Sequence, residues 1–106
     1  MNLNFLGPAA ATSAFFAVWL GHVAVRKIEY ISPVLWVPAL FATGIGIILE
    51  MGALLSRSLT LSAVLGILGV TLLWDAVELV RQQRRVQKGH APANPNNPRH
   101  AALLSK

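Results

Sequence analysis

The run from Leu59 to Lys88, LTLSAVLGILGVTLLWDAVELVRQQRRVQK, limits this chain more than any other stretch. Its first part is apolar for long enough to cross a bilayer core of about 30 Å at about 1.5 Å per residue. Its last part is a basic amphipathic segment carrying Arg81, Arg84, Arg85 and Lys88, and Trp74, Asp75 and Glu78 lie where the two meet. An apolar span that runs into a basic helix fixes lipid as the solvent. Composition agrees, since only 12% of the 106 residues are charged while 55% are hydrophobic. A soluble domain carries about 25% charged residues.

Two further spans precede this one. Pro8 to Val25 is apolar, and Pro8 suits the first helical position, where its missing N–H costs nothing. Arg26 and Lys27 follow that run rather than precede it, which is the reverse of a secretory signal. Arg26 to Ser32 reads as a polar connection, with Ser32-Pro33 as N-cap and first residue of a second helix over 34–55. Pro38 is expected to kink its first turns. Ser56-Arg57-Ser58 is a short connection, so the second and third spans should be antiparallel neighbours. The fold class expected is all-α: a three-helix transmembrane domain over 1–88, with spans at about 8–26, 34–55 and 59–80 and a basic helix at 81–88. Gly89 is expected to cap that helix, and the Pro/Asn-rich tail 89–106 to be loosely ordered on the cytoplasmic side.

Small residues recur on two helices. Ala10, Ala14, Ala17 and Gly21 form one stripe, and Ser62, Gly66, Gly69, Leu73 and Ala76 another, with the single larger residue Leu73. Close backbone approach substitutes in lipid for the missing hydrophobic drive, so both stripes read as helix-packing surfaces.

Of the nine basic residues, all but Arg57 fall on one side of a three-span topology. The positive-inside rule then places the N-terminus outside and the C-terminus in the cytoplasm of a bacterial inner membrane. Trp19, Trp36, Trp74 and Tyr30 fit an aromatic belt near the inner interface. The net charge of +5 is concentrated beside the spans, which favours anionic headgroups over nucleic acid as the partner. Arg26, Lys27, Arg81, Arg84, Arg85 and Lys88 are the candidate headgroup contacts.

The candidate intramembrane polar residues are His22, Glu50, Asp75 and Glu78. His22 should lie at the depth of Asp75 and Glu78, and a hydrogen-bonded clamp across helices is preferred to a proton-handling site. Glu50 stands apart, with Arg57 two turns on as its structural partner. No nucleophile–base pair, phosphate loop or catalytic carboxylate pair occurs, so no enzyme activity is expected. A metal would need three or four convergent ligands, and His22, Asp75 and Glu78 have no tight His/carboxylate spacing; a bis-His haem finds only His22 in a span, so no cofactor is expected either. The role these features suggest is a structural or accessory subunit that packs with itself or a larger complex. A small oligomeric proton or ion transporter is the alternative.

His22 with Lys27, Glu29 and Tyr30 after the first span, Leu65-Gly66 and Leu73-Trp74 with Glu78 in the third, and the series Arg85, Val86, Lys88, Gly89, Pro92, Asn94, Pro95 together resemble a family of small bacterial multi-pass membrane proteins that is a domain of unknown function. The resemblance runs from about Gly21 to Pro95, and the last series is its most specific part. It departs from the family pattern at His22-Val23 and His90-Ala91. It implies a multi-pass bacterial membrane protein and brings no activity with it.

Overall fold

A computed structural model describes residues 3–105. Lys106, one of the cytoplasmic cations expected from the sequence, lies outside them. The described residues form four helices: α1 over Leu6–Ile31, α2 over Trp36–Leu55, α3 over Leu59–Gln87 and a short α4 over Pro98–Leu104. The first three are long and apolar enough to cross a membrane. By helix rise, α3 is about 43 Å long and overshoots a core of about 30 Å by about 13 Å, whereas α2 just spans it. The chain is therefore a multi-pass membrane protein.

Local chemistry sets the helix ends, and three differ from the sequence expectation. α1 begins at Leu6 rather than Pro8, because Asn4 Oδ1 accepts the Leu6 N–H at 3.0 Å. Pro8 still lies in the first turn, where no N–H is required. α1 also runs through the expected connection to Ile31, and Ser32 closes it by donating its N–H to Ile28 O at 2.8 Å. Ser32-Pro33 therefore ends one helix instead of starting the next. α2 starts at Trp36, so Pro38 is its third residue and removes no intrahelical bond. The expected kink thus has no cause. At the next connection, Ser58 Oγ accepts the Leu61 N–H and caps α3. α3 ends as expected on Gly89 at φ +80°, with His90 N–H to Arg85 O and Gly89 N–H to Val86 O closing a Schellman turn.

α3 is the middle helix. α1 and α2 each pack along it and scarcely touch one another, which produces a flat layer 63 × 24 × 17 Å in extent. The α2–α3 contact is built on glycine. A Cβ on Gly46 would stand 2.9 Å from Gly69 O, and one on Gly69 would stand 2.9 Å from Gly46 O, so the two backbones are in direct contact. Ser62 Oγ donates to Ala53 O at 2.7 Å across the same seam. The stripe on α3 thus performs the packing expected of it. Span hydroxyls that meet no neighbour bond back to their own helix, as Ser13 does to Ala9 O and Thr71 to Ile67 O. Such bonds satisfy polar groups where lipid offers none.

The tail departs most from expectation. Instead of a loose segment, residues 94–104 fold into a turn and α4 that dock on the ends of α1 and α3. Composition suggested disorder because the tail offers little apolar surface to bury. What holds it is polar, as set out below.

Candidate functional site

The last carbonyls of any α-helix lack intrahelical partners. At the end of α1 the tail supplies them. Asn94 Nδ2 and Asn97 Nδ2 both donate to Tyr30 O at 2.9 Å, and Asn97 Nδ2 reaches Ser32 O at 3.0 Å. Arg99 donates through Nε to Ser32 O at 3.3 Å and through Nη2 to Glu29 O. A guanidinium at this position also meets the negative end of the α1 dipole.

The side chain of Glu29, only 1% exposed, is the centre of this arrangement. Its Oε2 accepts Arg99 Nη1 at 2.6 Å, and its two oxygens lie 3.1 and 3.0 Å from His100 Nε2. Arg99 Nη1 also donates to Gln83 Oε1 on α3 at 2.7 Å, so one guanidinium joins α1, α3 and the tail. The tautomer of His100 follows from its other nitrogen. Asn94 N–H, which can only donate, lies 2.8 Å from Nδ1. Nδ1 is therefore the acceptor, Nε2 carries the proton, and the imidazole donates to Glu29. His100 is fully buried and meets the Tyr30 ring edge-on at 6.2 Å. Locally, Asn97 Oδ1 accepts the Arg99 N–H at 3.0 Å, capping α4, and Pro98 follows at its first turn. Every partner in this latch is satisfied, and it is the best-built polar cluster of the described residues.

The sequence did not assemble it. Glu29 and Arg99 were legible as charges, and Asn97-Pro98 carries a helix-start signal that the expectation of a loose tail passed over, but the contacts to α1 join residues 64 to 71 apart.

The four polar residues singled out from the sequence occupy two other places. His22, Asp75 and Glu78 do line one cavity of about 160 Å³ between α1 and α3, with Val18, Val25 and Trp74. The expected common depth is thus met, but no hydrogen bond joins His22 to either carboxylate among the described residues. Asp75 is instead laid over Gly21, where a Cβ would stand 2.8 Å from Oδ1. Glu78 pairs with Arg81 at 3.2 Å, and Arg81 also covers the Trp74 ring at 5.5 Å. Helix rotation decides this outcome, because the face that carries Asp75 is the one that meets α1.

Glu50 turns away from Arg57, its expected partner, and toward α3. Its Oε1 would lie 2.9 Å from a Cβ on Gly69 and 3.5 Å from one on Gly66, so these glycines make room for it. That oxygen is buried without a hydrogen-bond partner among the described residues. The candidate headgroup cations fall in two groups at the same end of the molecule. Arg81, Arg84, Arg85 and Lys88 line a groove on α3 with His90, while Arg26 and Lys27 line a second one between α1, α3 and the tail.

Over residues 4–97 the sequence matches a family described as a domain of unknown function, DUF4491. No curated protein and no solved structure matches it significantly.

Proposed function

We propose that this chain, which belongs to the DUF4491 family, is a structural or accessory subunit of a bacterial cytoplasmic membrane that packs with copies of itself or with a larger membrane complex. The observation that supports this reading is the single-layer arrangement around α3. It leaves most of α1 and α2 uncovered, and Phe15, Phe16, Phe41, Ile48 and Leu54 are all at least half exposed. In the windows that define the spans, only 11%, 6% and 11% of residues are buried. Three helices in one layer do not enclose a pathway, whereas they offer broad faces to other helices. The polar groups also favour a non-enzymatic role, since Glu29, Glu78 and Arg99 are held in ion pairs and Asp75 lies on the α1 backbone.

The test is the mass of the particle extracted in mild detergent. A homo-oligomer or a complex with other membrane proteins is the expected result, and a lone monomer in native-like lipid nanodiscs would overturn the proposal. A transporter is the second reading, favoured by the unpartnered Glu50 Oε1 and by the His22–Asp75–Glu78 cavity. These two features lie at different seams, and Asp75 is about 9 Å further along α3 than Gly69 by helix rise. They form no shared path within one chain, which supports the first reading over this one.

Orientation belongs to the same proposal. With the basic ends of α1 and α3 in the cytoplasm, the N-terminus is outside. A periplasm-active reporter fused at the C-terminus should be silent, and one inserted at Ser56 should be active. The reverse pattern would invert the topology.

A further inference from the structure

The groove beside the latch has a chemistry of its own. It has a volume of about 410 Å³ and is shared by three elements: Arg26, Lys27 and Tyr30 near the end of α1, Gln82 on α3 and Pro92 in the tail, with Val23 extending its wall toward the apolar part of α1. Arg26 and Lys27 are exposed and make no ion pair among the described residues. Glu29 also borders this groove. Its carboxylate, however, is taken up by Arg99 and His100. The latch therefore withdraws the one anion that would oppose Arg26 and Lys27, and leaves a cleft with two free cations, an amide and a tyrosine above an apolar wall.

We propose that this cleft holds the phosphodiester headgroup of an anionic glycerophospholipid, and that docking of the tail makes it competent. The charges select the phosphate, and the wall at Val23 gives an acyl chain a continuous apolar surface to follow into the bilayer. Arg supplies a planar fork for phosphate oxygens and Lys a point charge. The proposal requires only that the chain sits in a bilayer, so it stands whether or not the chain is an accessory subunit.

Native mass spectrometry of the detergent-solubilised chain, titrated with phosphatidylglycerol or phosphatidylcholine, tests it. Wild type should retain one phosphatidylglycerol in preference to phosphatidylcholine. Each cation near an anionic lipid contributes about fivefold, so Arg26→Gln with Lys27→Gln should lower that preference about twenty-fivefold. Arg84→Gln with Arg85→Gln, which alters the other groove, should leave the single retained lipid in place. Arg99→Gln should weaken retention although Arg99 is outside the cleft, because Glu29 is released toward the two cations. Adding Glu29→Gln to it should restore retention. Equal retention of the two lipids, or a preference indifferent to Arg26→Gln with Lys27→Gln, would overturn the site. Loss in Arg99→Gln that Glu29→Gln fails to restore would overturn the coupling. Displacement of the lipid by millimolar glycerol phosphate would assign the cleft to a soluble phosphate instead.

Discussion

Gly69→Ala should destabilise the molecule by about 1–3 kcal/mol, the range for forcing an extra carbon into a filled contact. The new methyl group would meet Gly46 O and Glu50 Oε1, each at 2.9 Å. A side-chain oxygen can swing aside, but a backbone carbonyl moves only with its helix, so α2 must shift away from α3. Gly46→Ala should act alike, since its methyl group would meet Gly69 O at 2.9 Å and Leu73 Cγ at 2.9 Å. The control is two residues away. Nothing lies within 4 Å of a Cβ on Gly44, so Gly44→Ala should leave stability within about 0.5 kcal/mol of wild type. Unfolding midpoints of the three variants in one detergent provide the measurement. Equal midpoints for Gly69→Ala and Gly44→Ala would show that the glycine seam does not hold the two helices.

The second large effect is expected at Arg99→Met. Removing one partner of a buried ion pair costs about 3–5 kcal/mol when the remaining charge is left bare. Here Glu29 keeps the His100 N–H, and Arg99 is itself 12% exposed, so the lower end applies. A cost of about 3 kcal/mol raises the undocked population of the tail by about a hundredfold. That loss is local, because Gly46 and Gly69 are untouched. Limited proteolysis should therefore cut between Gly89 and Leu104 far faster than in wild type, while α1 to α3 remain protected in the micelle. A tail cut at the wild-type rate would mean that the guanidinium does not hold it.

The spans were legible because lipid imposes a single demand, an apolar run of sufficient length, and three runs meet it. The glycine seam was legible for a related reason, since Gly66 and Gly69 in a helix have little use other than close approach. Rotation was not. Depth along an axis can be counted from sequence, which brought His22 to the level of Asp75 and Glu78. Whether those side chains face one another depends on the phase of two helices fixed by packing elsewhere, and Asp75 faces Gly21. The tail shows a different limit. A Pro/Asn composition predicts disorder by counting apolar surface, but this tail is held by amide and guanidinium donors that fill the open carbonyls of α1. The same cap-then-proline rule misplaced a helix start at Ser32-Pro33 and would have placed one correctly at Asn97-Pro98. What separated the two cases was the distant partner that lets α1 continue to Ile31.

The position of α3 between the other helices also bears on how the chain is made. Synthesis delivers α1 and then α2, and the two have almost no surface in common. A nascent chain at that stage holds two unpaired helices in the bilayer, and its glycine seam is still half-built. Emergence of Leu59 to Gln87 gives both a common partner at once. Glu29, however, waits longer, because its counterion lies 70 residues downstream. The first helix is thus finished only by residues made long after it, and a chain cut short before Asn94 carries at the end of α1 a bare carboxylate and open carbonyls.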